Sequence, residues 1–146
     1  MDFEAAAINS VKAGFPQCTI SGCFYHLCRC VKRHVNSLGL KKDYESDIDF
    51  GLTVKSLMAL SFVPPAEVLT VFGQLSEKFP DTDACDKLLN YFKTTFIQGE
   101  GRLGRTKDPL FPIPLWNHYA DGLLCTPKTT NCTGSSYEFD SLIILN

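Results

Sequence analysis

A chain of 146 residues, 45% hydrophobic and 21% charged, is about one domain in size and can bury a core of its own. A net charge of −2 excludes a chain that is basic throughout, as an overall polyanion binder would be, and leaves room for local basic patches. No apolar run approaches the roughly 18 residues of a membrane span, and the acid-bearing N-terminus is not a secretory signal.

The seven cysteines therefore read as reduced intracellular thiols, not as a disulfide framework, and the sequon at Asn131 is without consequence. In DFEAAAINSVKAGFP, Ala7, Ile8, Val11 and Phe15 recur at helical spacing, with Asp2 as the candidate cap and Gly14 and Pro16 as the stop. In QCTISGC, Cys18, Ile20 and Gly22 alternate with polar neighbours, which predicts a short strand. Phe24, Leu27, Val31, Val35 and Leu38 mark a second amphipathic helix, ended by Gly39.

From Ser46 onward the pattern is helical only. Val54, Leu57, Met58 and Phe62 form one stripe, broken by Pro64 and Pro65. Val68, Leu69, Phe72, Leu75 and Phe79 form the next. An Asp81–Thr82–Asp83 start then leads into Leu88, Leu89, Phe92 and Phe96, closed at Gly99. Short connections predict antiparallel neighbours. Residues 99–114, rich in Gly and Pro, read as a loop. Beyond them, the apolar neighbours Leu110, Phe111, Ile113 and Leu115 predict that Trp116 is buried against the helices and is no base-stacking platform. The run Leu142 to Leu145 reads either as a strand or as an unnatural terminus. The expectation is one α+β domain, predominantly α-helical: mixed over 1–43, helical over 44–99 and loop-rich over 100–146.

The stretch TISGCFYHLCRCVKRHV places Cys23, His26, Cys30 and His34 on one stripe beside the apolar face of the second helix. One zinc ion cannot take all four, because positions eleven apart are separated by ~16 Å along the axis. Cys23, His26 and Cys30 are candidate ligands for a Zn²⁺ site completed from elsewhere, with Cys23 and His26 within side-chain reach. The competing reading makes Cys18, Cys28 and Cys30 small buried hydrophobes. No Cys-x-x-Cys is present, and Cys28 and Cys30 point about 200° apart on a helix, the wrong geometry for a disulfide. Arg29, Lys32, Arg33, Lys41 and Lys42, with Arg102, Arg105 and Lys107, are candidate DNA contacts or a solvated basic face.

Three segments together, DFEAAAINSVKAGFPQCTISGCFYHLCRCVKRHVNSLGL, LMALSFVPPAEVLTVFGQL and PLFPIPLWNHYADGLLCTPKTTNCT, resemble the Mutator-like-element (MULE) transposase domain from Asp2 to about Thr133. The resemblance implies a ribonuclease H-like α/β core with a helical insertion over Ser46 to Gly99, here as a truncated core remnant followed by that helical layer. It makes Asp2 the second catalytic carboxylate and Cys23 and His26 the family's Cys-x-x-His pair. Strand transfer needs carboxylates that hold two Mg²⁺ or Mn²⁺ ions, one to activate the nucleophile and one to stabilise the leaving oxygen.

The departures from the family are specific. Its first aspartate lies upstream of the Asp2 position, on strands expected to be missing. The third acid of Thr-Asn-Asn-x-x-Glu falls on Gly134, and Glu138 and Asp140 are out of register. The expectation is a transposase-derived fragment, intracellular and nuclear, without cleavage activity, whose ancestral partner is DNA. Exposed core edges in such a fragment would favour self-association. The alternatives are a helical interaction or DNA-contacting module and a small zinc protein.

Overall fold

The computed structural model describes residues 5–17 and 20–120 of the chain. Helix α1 (Ala5–Gly14) reaches the core through Ile8, while Phe15, expected on the same apolar stripe, stands 64% exposed. The Gly14–Pro16 stop turns the chain before Phe15 can align with Ile8. Asp2, the expected cap, lies outside the described residues.

Helix α2 (Phe24–Ser37) buries Leu27, Val31 and Val35 and ends in a Schellman motif. The Gly39 amide donates to Asn36 O at 3.2 Å and the Leu40 amide to Val35 O at 3.0 Å. Gly39 holds φ at +77°, where any side chain would be strained, and the buried Leu40 closes the turn.

The polar helix α3 (Lys41–Ser46), unexpected because it has no apolar stripe, packs on α4 (Ile48–Ala59). They approach so closely that a Cβ on Gly51 would meet Tyr44 O at 3.0 Å. Asp47 caps α4 by accepting from the Phe50 amide at 3.1 Å. A 3₁₀ turn (Leu60–Phe62) ends it before Pro64 and Pro65, and α5 (Val68–Ser76) and α6 (Asp83–Phe92) follow. Thr82 caps α6 through the Cys85 amide at 3.3 Å, with Asp83 and Asp86 favourably placed in its first turn.

The helical layer expected from Ser46 to Ile97 therefore forms, and the core gathers Val54, Leu57, Val68, Phe72, Leu88 and Phe92. Its stripes are narrower than the sequence suggests. Phe62 and Leu69 are 47% and 49% exposed. A single π turn (Lys93–Ile97) ends α6, and a two-residue antiparallel pair follows inside the expected loop: β1 (Gly99–Glu100) with β2 (Thr106–Lys107). A four-residue helix α7 (Ile113–Trp116) closes the described chain.

The fold is predominantly helical, and β1 and β2 are the only strands among the described residues. The strand expected over Cys18 to Gly22 is not seen where it can be judged. Cys18 and Thr19 lie outside the described residues, and 20–23 enter α2 without a ladder partner. The buried Gly22 amide instead donates to Leu115 O at 2.6 Å, so tertiary contact takes the place of a sheet.

The caps offer a direct check of this helical register. Thr82→Ala and Asp47→Ala should each lower stability by about 0.5–2 kcal/mol, read as a shift in urea midpoint at unchanged slope.

Candidate functional site

The three segments that carry the sequence motifs come together at one end of the helical layer. From the first come Gly22, Cys23 and Phe24; from the second, Ser61, Phe62 and Val63; from the third, Leu115 to His118. The His118 amide donates to Ser61 O at 2.6 Å, and Asn117 Nδ2 donates to Val63 O at 2.8 Å. Asn117 Oδ1 accepts from the Tyr119 amide at 3.1 Å, so one amide side chain ties the strap, residues 111–118, both to Val63 just after the 3₁₀ turn and to its own continuation. Phe24 and Phe62 rings lie 5.0 Å apart, and His118, buried, lies 6.2 Å from Phe62.

Below this junction Trp116 is fully buried, as its apolar neighbours predict. Its indole N–H donates to Phe96 O at 2.9 Å and to Phe111 O at 3.2 Å. Phe92 and Phe96 meet the indole edge-on, at centroid distances of 6.1 and 6.0 Å. The Phe111 amide takes the neighbouring Thr95 O at 2.8 Å. The carbonyls of Thr95 and Phe96 are available because α6 ends in the π turn.

Packing gives the members of the cysteine–histidine stripe different neighbours. Cys23 is the extended N-cap of α2, with no side-chain cap bond, and His26 turns edge-on to Tyr25 at 5.4 Å. Cys30 is hydrogen-bonded with the Tyr91 hydroxyl, whose pKa burial, then Cys30, pushes up to about 12. His34 lies flat on the Tyr91 ring, with centroids 3.5 Å apart and planes within 8°. Burial, opposed by Lys32, pushes the Cys28 thiol up to about 11, so it stays protonated near neutrality and unreactive.

Among the described residues no three His, Cys, Asp or Glu side chains form a group able to hold a metal ion, so Cys23, His26 and Cys30 make no such trio. Cys28 and Cys30 are half-buried beside the core, as the small-hydrophobe reading expects. Asp2, Gly134, Glu138 and Asp140 lie outside the described residues. The basic positions Arg29, Lys32, Arg33, Lys41, Lys42, Arg102, Arg105 and Lys107 are all exposed.

Sequence reasoning overlooked Ser61, Thr95 and Asn117. Ser61 and Thr95 act through backbone carbonyls, which leave no mark on residue type. Asn117, beside the buried Trp116, was the legible signal. No helix is long and apolar enough to cross a membrane among the described residues. The chain matches no protein-family model, and no curated protein or solved structure matches it.

Two measurements test this geometry. Trp116→Phe keeps an aromatic but leaves two buried carbonyls without their donor, and should cost about 1–3 kcal/mol in urea unfolding. Burial, and then the Arg33 charge, hold the His34 pKa below its ordinary 6.5. The folded state thus favours neutral His34. This contribution is complete above 6.5 and is lost as pH falls from there through the lower folded value. His34→Phe should flatten that part of the stability–pH curve.

Proposed function

We propose that the chain is derived from a Mutator-like-element transposase domain, keeps that domain's helical layer and its Trp-Asn strap, and does not cleave DNA. The single observation that supports this reading is the junction itself. The three segments that carry the resemblance are separated by tens of residues, yet they are hydrogen-bonded to one another through Gly22–Leu115, Ser61–His118 and Val63–Asn117. The motif residues thus have a shared packing role, which accounts for their joint presence in a chain whose acids are incomplete. DNA as the ancestral partner and a nuclear location belong to this same reading.

The chemistry argues for inactivity. In two-metal phosphoryl transfer the cations offset repulsion between the phosphate and the incoming oxygen, and converging carboxylates hold them in place. Asp2 stands at the position of the second acid and glycine, at 134, at that of the third. Glycine has no side-chain ligand. Mg²⁺ or Mn²⁺ would therefore lack the third anchor.

The purified protein should neither nick nor join DNA carrying any terminal inverted repeat, with Mg²⁺ or Mn²⁺ present. Metal-dependent nicking that disappears in Asp2→Ala would overturn the inactive reading. Ancestry has its own check in the genomic sequence upstream of Met1. A decayed or intact reading frame encoding an Asp-terminated strand supports descent, and unrelated sequence on all sides argues against it.

A further inference from the structure

We infer that the outward face of α2 is a contact surface for the major groove of duplex DNA. The helix carries no acidic residue, in a chain of net charge −2. At about 100° per residue, Tyr25, Arg29, Lys32, Arg33 and Asn36 fall within an arc of about 100°. That arc lies opposite the buried Leu27, Val31 and Val35, and all five residues on it are exposed. Among the described residues, none of Arg29, Lys32 and Arg33 is in an ion pair.

Charge and shape choose the partner together. Three unpaired cations on one stripe fit a polyanion whose charges repeat along a line, and releasing its counterions supplies the affinity. The stripe lies on the exposed side of a helix whose other side packs on the core. A single strand is better held in a groove lined by aromatic platforms, and this stripe has one aromatic, Tyr25, at its end. A major groove about 12 Å wide accepts a helix, and Arg, Lys and Asn side chains are those that pair with its base edges. Arg29 to Asn36 spans about 10 Å of helix axis, which a groove can enclose. Lys41 and Lys42, beyond the Gly39 turn, add charge near the C-terminal end, although Lys41 is shared with Glu45 at 3.8 Å.

The inference rests on the reading above only for the choice of DNA, and its test changes none of the junction residues Gly22, Ser61, Val63 and 115–118. Fluorescence anisotropy of the full chain with a short labelled duplex should show saturable binding. Its log affinity should fall against log salt with a slope of about −2.7, three phosphates at about 0.9 each. The variant R29E/K32E/R33E, all on the solvent face, should keep its circular dichroism and lose at least tenfold in affinity, with the slope collapsing towards zero. The loop variant R105E/K107E should bind as the parent does. Absent binding, an unchanged triple variant, or equal affinity for a single strand and for heparin at matched charge would each overturn the inference. None of these outcomes bears on the nicking assay or on the upstream sequence, so the two readings fail separately.

Discussion

One indole N–H organises the described structure. Trp116 brings its donor to two carbonyls from different parts of the chain, Phe96 and Phe111, at the centre of an aromatic cluster. A buried carbonyl without a partner is costly. An α-helix continued past Phe92 to residue 100 would have used the Phe96 carbonyl, and that of Thr95, internally. The π turn at Lys93–Ile97 directs them outward, and the strap at 111–118 satisfies them. Irregularity at the end of α6 and burial of the tryptophan are thus one feature seen from two sides. The same strap reaches Ser61, Val63 and Gly22, so helices far apart in sequence are joined through a short piece of chain built around α7.

Helix α2 shows how one element can carry two unrelated demands. Its inner face is fixed by Leu27, Val31 and Val35 and by the Gly39 turn, which brings Leu40 back over the core. The side of that face holds Cys28 and Cys30, half-buried, with His34 stacked on Tyr91. Packing of this kind uses thiols for their size and imidazole for its flat surface. It draws on their shape more than on their ability to coordinate. The outward face is left free of these constraints, and there charge accumulates.

Much of the helical layer was legible because 3.6-residue periodicity and caps agree. Val54 with Leu57, Phe72 with Leu75, and Leu88 with Phe92 are spaced for one face and are buried on one face. Thr82 and Asp47 do what such residues do before a helix. What could not be read depended on partners distant in sequence. Helix α3 has polar residues all round and is held by α4, so no stripe announces it. The alternation at Ile20 and Gly22 looks like a strand, but the Gly22 amide is spent on Leu115, which no local pattern encodes. Phe15 and Leu69 match a helical stripe by spacing yet stand exposed, because periodicity selects a direction and cannot supply a neighbour to meet it. In the candidate site, Trp116 was legible from its apolar surroundings. The roles of Ser61 and Thr95 were not, since their backbones do the bonding.

The division between packing and chemistry also explains how a chain of this kind can lose one and retain the other. Carboxylates for two-metal catalysis must come from separate elements and meet within a few ångströms, so removing one of them removes the function. The helical layer needs no such convergence of carboxylates. Its contacts are mostly short in range, helix to next helix, and the strap that closes it lies within residues 108–118. The residues that form the junction, Gly22, Ser61, Val63 and 115–118, are not those that would perform the reaction. Persistence of the first group is consequently no evidence for survival of the second, and the packed motif residues are better understood as what keeps the helical layer folded.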